Sequence, residues 1–224
     1  CYVMQDRDVD MAFRHPNVML GSVLSIWHDY RERGIDDPLS AKLPPMEKLR
    51  EAAAHTDIDK VVIDEAASTV YLADPEMRLD VGAVAKGYAV ERACRAAEEK
   101  GIESLLVSVG GNVRAIGSMD GRGSPWKVGV QNPGMGEGGP QFLCTVGLRD
   151  RSLVTSGSYQ RYYTVDGKTY HHIIDPETLM PAAYYTAVSV LTPDSGAADA
   201  LSTALYNMPY EEGLALVEGM EDTE

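Results

Sequence analysis

The sequence predicts an α+β fold of mixed, mainly antiparallel sheets with helices packed on them. Three observations carry that prediction. Apolar runs of strand length outnumber helical patterns along the chain. They come in neighbouring pairs instead of alternating with helices, which argues against a doubly wound parallel sheet. Asp166-Gly167 separates two of them, and that dipeptide favours a two-residue hairpin.

Taken in order, residues 1–20 are irregular, with mixed charge and a His15-Pro16 turn signal. Val23, Leu24, Ile26 and Trp27 give residues 21–30 the spacing of a short helix. After a proline-containing loop over 34–45, Pro45 suits the first turn of a helix over 46–55. The runs 61–64 and 69–72 form a hairpin, and 78–81 a short strand. Residues 82–100 are a loop feeding a long helix, with Ala89, Val90, Ala93, Cys94 and Ala97 on one face and Gly101 as its stop. Strands follow at 104–109 and 112–117, interrupted by Gly110-Gly111, then at 126–131, 142–148 and 153–156, with a Gly-rich loop over 133–140. The hairpin 161–165 and 168–174 turns at Asp166-Gly167, and the last strand is 184–191. Helices over 198–208 and 210–217 close the chain.

A chain of 224 residues can bury one substantial core or two small ones. Its net charge of −14 argues against nucleic acid as a partner, because polyanions need basic surfaces. It has no run of 18 apolar residues, so the sequence offers no membrane-spanning helix. Cys1, Cys94 and Cys144 have no metal-ligand or redox-pair spacing. The chain starts with Cys1, as a mature bacterial lipoprotein would. No apolar signal precedes it, and a chain that begins mid-protein is the favoured reading.

Five motifs could carry chemistry. Asp199 and Thr203 are four apart, so on a helix they share a face and offer hard oxygen ligands to Mg²⁺ or a similar ion. The same pair also fits a helix cap beside a packed threonine. Residues 79–88 run from a strand through small residues into a helix whose first turn holds Lys86. Free N–H groups with a nearby ammonium suit a phosphate, although the spacing is not that of a Walker loop and such turns also serve close packing. Gly110-Gly111 inside a strand marks a bulge or a close approach of backbone to a ligand or another strand. Residues 155–162 gather hydroxyls, an amide and a guanidinium at a strand end. His171 and His172 are adjacent on a strand and so point to opposite faces; one can serve a site while the other is exposed.

Together and in this order, these motifs resemble the FAD:protein FMN transferases of the ApbE type. The matching stretches are LDVGAVAKGYAVERA at 79–93, LLVSVGGNVRAIG at 105–117, VTSGSYQRYYTVDGKTYHHIIDPETLMP at 154–181 and VSVLTPDSGAADALSTALYNMPYEEGLALVE at 188–218, with GSVLSIWHDYR at 21–31 also similar. The resemblance implies one ApbE-like, T-fold-related domain over 21–224, preceded in the family by a further N-terminal portion that this chain lacks. It implies Mg²⁺-dependent transfer of FMN from FAD to a Thr or Ser hydroxyl of an acceptor flavoprotein, releasing AMP. The alternatives are an FAD pyrophosphatase yielding FMN and AMP, or a non-catalytic FAD-binding protein. By position, Asp199, Thr203 and the Ala83 carbonyl match the metal ligands. Lys86 lies where the family meets the phosphates, and Gly110, Gly111 and Ser156 where it meets the flavin nucleotide. His172 matches the functional histidine, either as a nucleotide contact or, like Asp199, as the proton acceptor. Asn112 and Gln160 stand where acidic residues are usual, so altered affinity is expected there. Family habit puts such a protein outside the cytoplasm, anchored to the membrane through lipid.

Overall fold

The computed structural model describes residues 18–135 and 138–224; the irregular segment expected at the start lies almost wholly outside them, as do two positions of the Gly-rich loop. The described residues gather into two compact units interleaved in sequence: 18–81 with 158–183, and 82–135 and 138–157 with 184–224. The antiparallel α+β character expected from the paired runs is present in both. Among the described residues, no helix is long and apolar enough to cross a membrane.

The first unit is organised by helix α1 (Gly21–Asp36) and helix α2 (Met46–Ala53). Helix α1 outruns the expected 21–30, because 28–36 is charged and shows no apolar stripe for a sequence reading to follow. Its last turns are held instead by a close approach: a Cβ on Gly34 would come within 2.6 Å of the Tyr163 ring. Trp27 is buried among Leu20, Val23, Leu49, Tyr163, Ile174 and Leu179. Its indole N–H donates to the Leu179 carbonyl at 2.9 Å, so the one polar atom of the ring is satisfied. Strands β1 (Val61–Asp64) and β2 (Thr69–Leu72) form the expected hairpin.

The expected strand at 78–81 is absent. Arg78 makes a single parallel bridge with Leu20, and the Asp80 N–H donates to the Val18 carbonyl. The ladder cannot lengthen, because its partner turns into α1 at Gly21.

In the second unit, helix α3 (Ala85–Glu98) is followed by β3 (Leu105–Val109), β4 (Asn112–Ile116), β5 (Trp126–Gln131), β6 (Phe142–Leu148) and β7 (Ser152–Gly157). Strands β8 (Tyr162–Val165) and β9 (Lys168–His171) return to the first unit as the hairpin expected around Asp166-Gly167. The chain bends at His172, so β9 stops three residues short of the expected end. Strand β10 (Ala187–Thr192) and helices α4 (Ser195–Tyr206) and α5 (Tyr210–Glu218) complete the second unit.

Its sheet is antiparallel in the order β10-β7-β4-β3 and is covered on both faces. Ala115 and Leu153 point to one face and pack with Val128, Val130 and Val146 of the β5–β6 hairpin. Ile116, Leu105 and Val107 point to the other and pack with Val90 and Cys94 of α3. The buried stripe of α3 is Gly87, Val90, Glu91 and Cys94, while Ala89 and Ala93 are exposed. The expected face was therefore rotated: alanines count as apolar in a periodicity, but the stripe that packs contains a glycine and a glutamate. Gly110-Gly111 is neither bulge nor interruption. It is the two-residue turn of the β3–β4 hairpin, with φ of +51° and +95°, the double positive φ that a primed turn demands.

Helices α3 and α4 run antiparallel and meet at Gly87. A Cβ there would lie 2.1 Å from the Ser195 carbonyl oxygen and 2.6 Å from the Asp199 Cβ. Gly87→Ala should therefore destabilise the protein by about 1–3 kcal/mol in urea unfolding, although alanine normally favours a helix interior by about 1 kcal/mol. A gain in stability would mean the two helices are not this close.

Candidate functional site

The site begins with the way α4 starts. Asp194 is its N-cap, the side chain accepting from the N–H groups of Gly196 and Ala197 at 2.8 and 2.9 Å. The helix thus starts three residues earlier than its apolar pattern indicates. Asp199 is not a cap but a second-turn residue, one turn from Thr203 on the same face.

The turn 82–84 that carries Ala83 leads into α3, so Lys86 and Gly87 stand in that helix's first turn. Asp199 is 3% exposed, and both its oxygens are engaged from α3. Lys86 Nζ donates to Oδ1 at 3.3 Å, and the Gly87 N–H donates to Oδ2 at 2.8 Å. A buried carboxylate without such partners would cost several kcal/mol. Lys86 is only partly covered, so its ammonium can also reach a ligand.

Gly110 stands beside this pair; a Cβ built on it would lie 3.7 Å from Lys86 Cδ. The turn's second glycine approaches β7, its carbonyl accepting from the Thr155 N–H at 3.0 Å. Ser156, next in β7, lies 2.8 Å from Ser202 Oγ and 3.4 Å from Thr203 Oγ1. Ser202 donates its hydroxyl proton to the Asp199 carbonyl, so toward Ser156 it can only accept. Ser156 is therefore the donor of that pair, and toward the Thr203 hydroxyl it can only accept.

Of the residues singled out in the sequence, the second unit thus brings together Lys86, Gly110, Gly111, Ser156, Asp199 and Thr203. Ala83 is placed in the turn ahead of α3. The side chains of Asp199 and Thr203 offer oxygen donors only. Among the described residues, no group of three or more His, Cys, Asp or Glu side chains could hold a metal. One carboxylate with hydroxyl and carbonyl oxygens suits a hard cation that completes its shell from water or phosphate, and does not suit zinc.

His172 belongs to the first unit. Burial, then the charges of Arg161 and Arg31, hold its pKa down at about 4. Its Nδ1 is buried without a hydrogen-bond partner among the described residues. His171 is not exposed, contrary to expectation. It is half-buried, its Nδ1 accepting from the Ile173 N–H at 3.3 Å and its Nε2 lying 2.9 Å from the Ala182 carbonyl. Those partners require the neutral tautomer protonated at Nε2, consistent with a pKa lowered by burial.

Sequence reasoning missed Ser202 and the charged pair Glu91 and Arg114. Both charged residues are buried, with Arg114 Nε 3.2 Å from Glu91 Oε2. A signal for Glu91 existed: it follows Gly87 by four residues, on the same face.

Because the folded pKa of His172 lies below the ordinary value of about 6.5, the unfolded chain binds the extra proton first as pH falls. The stability tied to its neutral form is complete above about pH 6.5 and is lost between there and about pH 4. Urea midpoints from pH 7 to 4.5 should fall in the wild type, and His172→Asn should flatten that decline. An NMR titration placing His172 near 6.5 would refute its burial.

A model of the ApbE family matches residues 10–224. The chain is 36% identical over 214 residues to an FAD:protein FMN transferase of Treponema pallidum, covering 90% of this chain and 57% of that protein. It is 30% identical over 215 residues to one of Klebsiella pneumoniae, covering 95% and 62%. Among solved structures it is similar to the ApbE protein of Thermotoga maritima, with a TM-score of 0.79 at 31% identity, covering 94% of this chain and 65% of that one. It is likewise similar to the flavin transferase ApbE of Vibrio cholerae, with a TM-score of 0.76 at 27% identity, covering 97% and 69%. The chain thus spans less than two thirds of the length of these curated relatives.

Proposed function

This chain belongs to the ApbE family, and we propose that it transfers FMN from FAD to a Thr or Ser hydroxyl of an acceptor protein. The bond that forms joins the acceptor oxygen to the FMN phosphorus. The bond that breaks joins that phosphorus to the bridging oxygen, which leaves with AMP. The hydroxyl proton leaves to a base or to solvent.

The observation that carries this reading is the second unit's constellation of Lys86, Asp199, Thr203 and Ser156. Lys86 presents an ammonium from the first turn of a helix, where the helix dipole also favours an anion such as a pyrophosphate. Asp199, Thr203 and the Ala83 carbonyl would hold Mg²⁺, which when bound supplies further positive charge to the phosphate oxygens. Asp199 already meets a donor on each oxygen, and with a metal ion on a remaining lone pair it would be a poor base, so its part is to hold charge in place. Ser156, its one proton given to Ser202, is a fixed acceptor for an N–H or O–H of the nucleotide. His172 enters on its sequence position alone. Neutral above about pH 4, it contributes hydrogen bonding and no charge at pH 7.

The test is a mass spectrum of an acceptor domain after incubation with this protein, FAD and Mg²⁺. A mass gain of FMN less water is expected, with Asp199→Ala lowering the initial rate by about 10² to 10³ and leaving the urea transition cooperative. Free AMP and FMN without a gain would point to pyrophosphate hydrolysis; neither product would refute catalysis by this chain.

A further inference from the structure

Helices α3 and α4 exchange carboxylates. Asp199 of α4 accepts from the Gly87 N–H of α3 at 2.8 Å, and Glu91 of α3 accepts from the Ser195 N–H of α4 at 3.0 Å. Gly87 is the third residue of α3 and Ser195 the first of α4, and N–H groups there have no acceptor within their own helix. Each helix therefore satisfies an orphan donor at the start of the other, with a carboxylate placed where the helix dipole favours one. Gly87 and Glu91 are four apart on α3, as are Ser195 and Asp199 on α4. The two bonds are thus rungs about one turn apart, running in opposite directions across one interface.

We propose that Glu91 is a positioning residue that acts through this reciprocal latch to set where Asp199 stands relative to Lys86. Its chemical consequence rests on the function proposed above.

Glu91 is itself fixed from three sides. It is 4% exposed and takes Arg114 Nε of β4 at 3.2 Å and Arg95 Nε at 2.9 Å. Arg95 also reaches the α4 N-cap, Nη2 to Asp194 Oδ2 at 2.9 Å. Sheet, α3 and the start of α4 therefore converge on one carboxylate. A helix sliding by one residue moves about 1.5 Å along its axis, enough to take Asp199 off the Gly87 N–H. An apolar residue at 91 could fill the space, but it would leave the buried Arg114 charge without its carboxylate, the Ser195 N–H without this acceptor, and the register unset.

The test follows amide hydrogen exchange by NMR in the full chain. In Glu91→Gln, the Gly87 N–H should exchange about tenfold faster or more, although its own acceptor Asp199 is untouched. Asp199→Asn should do the same to the Ser195 N–H. Binding of Mn²⁺ alone, followed by its electron spin resonance, should weaken about tenfold in Glu91→Gln, and excess Mn²⁺ should restore kcat for FMN transfer, which it would not do for a general folding defect. If Glu91→Gln does not fold, Arg95→Gln removes one of the ties to Glu91 and should speed exchange at Gly87 to a smaller degree. Faster exchange at Ser195 alone, with Gly87 protection unchanged, would overturn the latch and leave Glu91 a local cap. Failure of the wild type to bind Mn²⁺ or transfer FMN would refute the proposed function instead, and the amide coupling would still decide the latch.

Discussion

The second unit depends on the close approach of α3 and α4 at Gly87. With no side chain there, the Ser195 carbonyl and Asp199 come within distances that any Cβ would forbid. That proximity brings the Asp199 carboxylate to the first-turn N–H groups of α3 and beside Lys86, so packing and site electrostatics share one cause. The buried charge of Asp199 is tolerable because two donors meet it. Its position is narrow because both donors come from a single helix turn.

The sheet beneath these helices carries polar residues on its helix-facing side. An antiparallel sheet covered on both sides would ordinarily be apolar on both. Here the face under the helices holds Asn112, Arg114, Ser152 and Ser156 beside Ile116 and Val154. Arg114 is used by Glu91 and Ser156 by Ser202. Asn112 Nδ2, Ser152 Oγ and Ser195 Oγ are buried without a partner among the described residues. The opposite face, against the β5–β6 hairpin, is the conventional one, built from Ala115, Leu148 and Leu153. Both faces thus contribute apolar packing, and the polar groups are gathered on the helix side.

The first unit solves a different problem. Its helices and hairpin meet around Trp27, Tyr163 and Tyr170, whose ring centroids lie 6.1–6.5 Å apart. Trp27 and Tyr163 have their polar atoms satisfied by main-chain carbonyls of distant segments, Leu179 and Lys42. Those bonds tie residues 158–183 to the first part of the chain.

Sequence by itself determined most of the element list, the antiparallel hairpins and the residue types gathered at the candidate site. The hairpins at 61–72 and 162–171 follow from local alternation and turn residues, and Asp199 and Thr203 share a face because four residues make about one helical turn. Periodicity is a property of neighbours in the chain, so it carries that much. It did not carry the extent of α1, the rotated buried face of α3, the true start of α4, or the Gly110-Gly111 hairpin where an interruption was expected. Nor could it pair Glu91 with Ser195 or Gly87 with Asp199, which are 104 and 112 residues apart. Those contacts arise only when two helices lie over one sheet at a distance set by a missing Cβ. That is a property of tertiary packing, because a glycine's consequence depends on what the fold brings against it.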